Sequence, residues 1–396
     1  MTLYILFAVL LGSVAAGIFE SRKHQANLKK ISVRIHVNGT RGKSSVTRLI
    51  AAGLNAGGIK TFAKTTGTVP RVITPDGEEF AVYRPSGANI IEQLRIVNFA
   101  AKNGAESLVI ECMALNPAYQ ALCELKLVRS TIGVITNARA DHLDVMGPDE
   151  ISVAKALLGT TPVNGTLFTC EEDYVELFKS AGKDRGTNVE IIGREISADV
   201  PSEWMDGFSY IEHKENVALA LAVCEKAGVP AEIAIKGMHK VQPDAGAMNE
   251  YVVEWFGRKL IFVNGFAAND PESTEMIWDM ALTRNNGVKK KIMVVNCRSD
   301  RPERSDQTGY AIVNWEKADH YIAIGTGTYI FIKAAVRAGI PPSRIIDMES
   351  EDASRIFEKI VEMSNGATLI MGICNIKGTG MELVKYFSNR SHSDKR

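Results

Sequence analysis

Three stretches of this sequence combine residue types that could hold a phosphate and a metal ion. The first runs Gly39, Thr40, Arg41, Gly42, Lys43, Ser44, Ser45. Glycines let the backbone approach an anion, and N–H groups at a helix start point at it. A lysine there reaches terminal phosphates, and a serine hydroxyl can hold Mg²⁺. The second is Glu111, which closes the apolar run from Ser107. The third is Asp141, His142, Leu143, Asp144, just after the apolar run from Ser130 to Thr136. Hard cations want carboxylate and hydroxyl oxygens, so Ser44 and Glu111 form the natural pair for one Mg²⁺.

These residues need strand ends to hold them. Val33, Ile35 and Val37 alternate with polar neighbours, which predicts a short strand before the glycine loop. Lys43, Ser44 and Ser45 then open a helix through Val46, Leu49 and Ile50. Further strands are expected at 59–63, 107–112, 130–136, 165–170 and 189–192, with a hairpin over 72–83. Helices are expected from Ser44 to near Gly57, over about 89–103, through Leu157, to Ala181, over 213–226 and after Pro230. Strands alternating with helices imply a mostly parallel sheet covered on both faces. Ligands gather at the strand ends of such sheets. The pattern breaks over 241–247, where a domain boundary is placed. A hairpin over 251–263 and strands at 292–296, 321–324, 344–347 and 368–371 predict a second, smaller α/β unit. His36, on the first strand, reads as a sheet histidine with a satisfied partner rather than a ligand.

The chain has 396 residues, enough for more than one domain with a large core. Its 46 Lys and Arg balance its 46 Asp and Glu, so no global charge argues for nucleic acid. The six cysteines are scattered with no Cys-x-x-Cys, which excludes a zinc knuckle or disulfide framework and suits a reducing compartment. From Thr2 to Phe19 no side chain is charged. About 18 residues at about 1.5 Å each span roughly 27 Å, close to a bilayer core. Arg22, Lys23, Lys29 and Lys30 follow, which leaves the bulk of the chain in the cytoplasm by the positive-inside rule. The expected organisation is a transmembrane anchor over 1–20, a polar link from Glu20 to Lys30, an ATP-binding central domain over 21–243 and a C-terminal α/β domain over 244–396.

The motifs resemble those of the Mur ligase superfamily. Residues 39–44 are similar to its nucleotide loop, which also lacks the first glycine of the general phosphate loop, where this chain has Val37. Asn137 with Asp141, His142, Leu143 and Asp144 resembles its second signature, and Glu111 stands at its magnesium-binding glutamate. Asn216 resembles its adenine-side asparagine. Residues 264–273 are similar to its Asp-x-Tyr-Ala-His-Asn-Pro stretch, and residues 296–301 to its Gly-Gly-Asp-Arg loop. Within the superfamily the likeness is nearest to the catalytic subunits of poly-γ-glutamate synthases, through residues 64–68, 111–117, 141–148, 243–248 and 264–270. Two departures stand out. Gly246-Ala247 replaces the hinge Gly-Arg of many members, which removes an arginine contact to nucleotide. Lys155 comes a residue or two before the family's carbamylated lysine, and a helix-surface lysine fits it equally, so it is left out of the site.

The resemblance implies a membrane-anchored, Mur-ligase-like α/β fold with a central P-loop ATPase domain. It implies ATP-dependent amide ligation of glutamate to a growing poly-γ-glutamate chain through an acyl phosphate, with ATP and Mg²⁺. Gly39 to Ser45 and Asn216 would contact nucleotide, with Lys43 at the β- and γ-phosphates. Ser44 and Glu111 would share one Mg²⁺, and His142 a second, its imidazole held by Asp141. Asp270 and Arg301 would complete the site from the other domain. The implied partners are membrane subunits like CapC/PgsC and CapA/PgsA; oligomeric state stays open, a homo-oligomer included. A γ-glutamyl ligase acting on a small acceptor such as a folate is a second reading, opposed by the anchor. A non-catalytic, nucleotide-gated membrane scaffold is a third, opposed by intact Lys43, Glu111 and His142.

Overall fold

A computed structural model describes residues 2–66, 70–84, 87–210, 212–242, 249–266, 268 and 270–391, and the counts below refer to these. The chain divides into two compact units, Met1–Asp244 and Ala245–Arg396. The pattern break over 241–247, with Gly246 and Ala247, falls largely outside the described residues.

The first unit is built on an eight-stranded sheet. Its strands are β1 (Val33–Asn38), β2 (Thr61–Lys64), β3 (Arg71–Ile73), β4 (Glu79–Ala81), β5 (Ser107–Glu111), β6 (Ile132–Ile135), β7 (Thr166–Thr169) and β8 (Asn188–Ile191). Their order is β4-β3-β2-β5-β1-β6-β7-β8. The strands from β2 to β8 in that order run parallel; β3 and β4 add an antiparallel edge. The helices are α1 (Thr2–Lys30), α2 (Lys43–Ala56), α3 (Glu92–Lys102), α4 (Pro117–Leu122), α5 (Leu143–Met146), α6 (Glu150–Leu157), α7 (Val175–Arg185), α8 (Arg194–Ala198), α9 (Ser202–Asp206), α10 (Lys214–Lys226) and α11 (Ala231–Met238). The central strands carry apolar runs because helices cover both faces. Helix α2 buries Val46, Leu49, Ile50 and Leu54, and Gly53 lies where a Cβ would meet Cys224 and Met238. The nucleotide loop is thereby braced by α10 and α11.

One expectation is corrected here. Glu20 to Lys30, read as a polar link, is helical and continuous with the apolar segment in α1. No glycine or proline interrupts residues 18–30, and their side chains are mostly good helix formers. The end of α1 is docked. Leu28 and Ile31 enter a core with Phe62, Ile96 and Leu108. His24 Nε2 lies 2.9 Å from the Leu127 carbonyl, and Asn27 donates to Asn98 at 3.2 Å. The described side chains from Tyr4 to Phe19 are all exposed. Among the described residues, α1 is the one helix long and apolar enough to cross a membrane.

The stretch 113–129, where no element was expected, holds α4 and a π-helical turn over Cys123–Val128. Its purpose is visible inside the sheet. Glu124 on that turn sits 2.8 Å from His36 Nδ1, both fully buried, and accepts from Ser130 N and Oγ at 2.8 and 2.9 Å. Burial alone would lower the His36 pKa; hydrogen bonds with Cys112 and Glu124 outweigh it and raise it to about 9. The folded value therefore lies above the unfolded value of about 6.5, so the pair's contribution is full below about pH 6.5 and is lost as pH rises through about 9. Glu124→Gln is expected to cost ~3 kcal/mol near pH 6 and clearly less near pH 10. Denaturant unfolding of both proteins at the two pH values checks this; a pH-independent cost would show that His36 is not charged in the fold.

The second unit holds a six-stranded sheet: β9 (Glu250–Trp255), β10 (Arg258–Asn264), β11 (Lys290–Cys297), β12 (His320–Gly325), β13 (Ile345–Glu349) and β14 (Ala367–Ile373), in the order β13-β12-β11-β14-β10-β9. Only β9 is antiparallel to its neighbour. Around the sheet lie α12 (Pro271–Arg284), α13 (Pro302–Ala311), α14 (Thr328–Ala338), α15 (Ala353–Met363) and α16 (Thr379–Ser388). Its core stacks Phe262 on Phe387 at 4.2 Å, with Phe357 edge-on at 5.2 Å.

Candidate active site

Register brings three loops to one edge of the first sheet. Val37 pairs with Glu111, and Asn38 with Ile135, so the loop after β1 opens between the ends of β5 and β6. Two glycines in that loop are sterically required. Gly39 has φ 132°, and a Cβ there would strike Thr136 Oγ1 at 2.0 Å. Gly42 has φ 81°, and a Cβ would meet Asn216 Oδ1 at 2.6 Å. Only glycine tolerates that backbone and that approach. Thr40 donates to Asn137 Oδ1 at 2.6 Å, and the Arg41 amide to the same oxygen at 3.1 Å. Thr136 donates to the Arg41 carbonyl. The loop is thus clamped by the segment after β6 before any ligand binds.

Lys43 begins α2. Its ammonium donates to the Gly39 and Thr40 carbonyls at 2.5 and 3.2 Å. Burial lowers its pKa, while the charges of Glu111 and Asp141 oppose that shift. Ser44 follows, and its hydroxyl donates to Glu111 Oε2 at 2.8 Å. The Glu111 carboxylate is buried and also accepts from Thr66 N at 2.7 Å and Thr66 Oγ1 at 2.5 Å. Ser45 is half-buried in the first turn of α2. Asn216, on α10, donates to Glu212 at 2.8 Å and packs its oxygen against Gly42.

His142 and Asp141 follow the clamp. His142 has φ 47° at the start of α5, which turns its side chain back to the site. The two side chains lie close together. His142 Nε2 lies 3.8 Å from Asp141 Oδ1. Asp141 also faces Arg41, at 3.5 Å. The Arg41 guanidinium, on the loop after β1, brings a full positive charge to the carboxylate.

Lys43, Asp141 and His142 line one cavity of about 230 Å³, together with Thr66, Arg84, Cys112 and Met113. Among the described residues no cluster of three or more His, Cys, Asp or Glu could by itself hold a metal. That suits Mg²⁺, which takes one or two protein oxygens, waters and substrate phosphates. The buried Glu111 carboxylate beside the Ser44 hydroxyl is a fitting oxygen pair.

Asp270 and Arg301 belong to the second unit. Asp270 caps α12, accepting from Ser273 N at 2.8 Å, and Arg301 is exposed at the start of α13.

Three groups were missed from the sequence. Thr66 holds Glu111 by two bonds. Lys64 is fully buried on β2 and sits 2.6 Å from Glu92 on α3. Arg84 donates to the same carboxylate at 2.7 Å through both Nε and Nη2. Burial pushes the Glu92 carboxyl up, but the Arg84 hydrogen bonds and Lys64 hold it below the usual range. A lysine closing a buried four-residue strand was the available signal, since a buried ammonium requires a carboxylate.

This fold defines a class. The Mur ligase middle domain matches residues 37–247, and the poly-gamma-glutamate synthase CapB C-terminal domain matches residues 250–390. The chain belongs to the Mur ligase family, in the CapB branch. Its relatives are specific. The capsule biosynthesis protein CapB of Bacillus anthracis is 38% identical over 370 residues, 93% of this chain and 79% of that protein. The PGA synthase CapB of Bacillus subtilis is 37% identical over 372 residues, 93% of each. Among solved structures, the bifunctional folylpolyglutamate synthase/dihydrofolate synthase of Yersinia pestis, complexed with AMPPNP and Mn, shares the fold. Its TM-score is 0.68 at 14% identity, covering 92% of this chain and 91% of that one. E. coli FolC with DHPP and ADP gives 0.69 at 12%, covering 94% and 92%.

Proposed function

We propose that this chain is the ATP-dependent ligase of a poly-γ-glutamate synthase, polymerising glutamate through γ-amide bonds. The carrying observation is one small cavity lined by Lys43, Asp141 and His142, with the Ser44–Glu111 pair beside it, in a chain so similar to CapB proteins.

The chemical problem is charge, because a carboxylate must approach a triphosphate. A γ-carboxylate oxygen of a glutamyl residue attacks the γ-phosphorus of ATP. The bond from that phosphorus to the β-bridging oxygen breaks, ADP leaves and an acyl phosphate remains. The amine of a second glutamate attacks the acyl carbon, phosphate departs and the amine loses a proton. Lys43 and the clamped loop amides stabilise charge on the transferring group. Ser44, Glu111 and His142 would hold divalent metal, which supplies further neutralisation of the phosphate oxygens. Asp141 keeps Arg41 beside the phosphates. Asp270 and Arg301 are proposed as further nucleotide contacts on the family likeness alone.

The apolar part of α1 would insert in the membrane, next to small subunits like CapC/PgsC and CapA/PgsA. Because α1 runs unbroken into the core, the anchor holds the first unit without a flexible tether. Full-length protein is expected to stay with membranes in high salt and to leave them in detergent; release by salt alone would refute insertion.

The deciding experiment incubates the purified membrane complex with ATP, Mg²⁺ and glutamate, then analyses product linkage and ADP. γ-Linked polymer formed with ADP supports the reading. ADP release that requires a folate-type acceptor, with none from glutamate alone, overturns it.

A further inference from the structure

A second cationic group adjoins the cavity, on the side away from the loop after β1 that carries Lys43. Lys64 and Arg84 share one carboxylate, that of Glu92, so the cluster carries one surplus positive charge. Glu111, the next carboxylate, acts on Lys64 through its charge, but the hydrogen bonds its oxygens accept come from Ser44 and Thr66 and not from Arg84. A surplus charge held away from water is costly unless an anion joins it. Arg84 lines the cavity that Lys43 also lines. Its fork to Glu92 uses Nε and Nη2, which leaves Nη1 with its donors. Glu92 thus fixes the guanidinium while leaving one edge to bind.

Resting on the poly-γ-glutamate reading, we propose that Arg84 binds the α-carboxylate of the glutamyl residue whose γ-carboxylate is phosphorylated, and so selects γ- over α-linkage. A glutamyl residue offers two carboxylates of similar chemistry, and a ligase must choose one. Every residue of the polymer keeps its α-carboxylate, whichever end grows, so this subsite serves either direction of growth. The cavity, at about 230 Å³, is below the usual range of about 300–1,000 Å³ for drug-sized ligands and suits a single residue. Met113, Ala114 and Leu115 on its wall offer apolar surface to the methylenes. With the α-carboxylate held at Arg84, the γ-carboxylate is the group left to face Lys43. Arg84 is a binding and specificity residue in this scheme, supported from behind by Glu92 and Lys64.

The test compares wild type, Arg84→Met and Arg84→Lys in the full membrane complex. Substrates are glutamate and its α-amide, which keeps the γ-carboxylate but lacks the α-charge. Wild type is expected to prefer glutamate by at least ~10-fold in kcat/KM. Arg84→Met should raise the half-saturating glutamate concentration by at least ~10-fold, leave that for ATP within ~2-fold, and treat the two substrates alike. Arg84→Lys keeps a charge beside Glu92 but not the fork, and should retain only part of the preference; it serves if the methionine variant does not fold. A second readout is equilibrium binding of a labelled oligo-γ-glutamate and its α-amidated form, without turnover. Undiminished preference in the variants, or no preference in wild type, overturns the subsite while leaving the ligase reading intact. A wild-type complex that neither binds nor uses any glutamyl compound overturns both.

Discussion

Lys43→Ala lowers glutamate-dependent ATP turnover by at least ~100-fold while the protein stays folded. Both halves of that expectation come from the same contacts. The ammonium donates only to carbonyls of its own loop, Gly39 and Thr40, in the bonds observed. Those carbonyls border a cavity and can turn to water when the lysine is gone. The loop's shape rests on other atoms: Gly39 against Thr136, Gly42 against Asn216, and Thr40 and Arg41 on Asn137. None of these involves the lysine side chain. Catalysis, in contrast, loses the cation aimed at the terminal phosphates, where charge changes most during transfer. Loss of one such fixed stabiliser typically costs ~100- to 1,000-fold. Arg41 does not substitute for it, since its guanidinium faces Asp141 at 3.5 Å. Steady-state ADP release beside thermal unfolding checks the point. A folded variant with near-normal turnover would remove Lys43, and with it the loop, from the proposed chemistry.

The fold was legible where side-chain period and burial agree. Strands β1, β5 and β6 are short apolar runs, and the parallel sheet follows from their alternation with helices. Register then did what motif reading could only suggest. It set Val37 opposite Glu111, and the Ser44 hydroxyl reached the carboxylate at 2.8 Å. What the sequence hid depends on contacts between distant segments. Glu20 to Lys30 looks like a linker by composition, yet Leu28 and Ile31 find a pocket between β2, α3 and β5 that only the folded sheet creates. The π-turn over Cys123–Val128 has no pattern of its own and exists to deliver Glu124 to His36. The Lys64, Arg84 and Glu92 cluster joins a strand, the loop after β4 and a helix, so no local spacing announces it. Asp141 and His142 are adjacent in sequence, but the approach of Asp141 to Arg41, at 3.5 Å, joins segments 100 residues apart.

Glu111→Gln raises the Mg²⁺ concentration needed for half-maximal activity by roughly tenfold or more, because a ligand lost from the metal acts directly on its affinity. The alternative is that Glu111 only ties Ser44 and Thr66 together at the end of β5. Its three hydrogen bonds make that reading serious. Glutamine separates the two because it is nearly the same shape. Its amide oxygen, in the place of Oε2, can still accept from the Ser44 hydroxyl and the Thr66 amide, and its amide nitrogen can donate to the Thr66 hydroxyl oxygen. A structural tie is therefore mostly kept, at a cost of about 1–2 kcal/mol from weaker, uncharged bonds. The negative charge, which a divalent cation needs and a hydrogen bond does not, is removed entirely. His142→Ala provides a companion case, since it removes the imidazole and leaves the hydrogen bonds of Glu111 in place. The measurement is a Mg²⁺ titration of activity for both variants beside their unfolding midpoints. Curves shifted to higher Mg²⁺ with small changes in midpoint support ligation by both side chains. A lowered midpoint with an unshifted Mg²⁺ curve would make Glu111 a tie between strand and loop, and the metal would then have to be held by Ser44 and the phosphates alone.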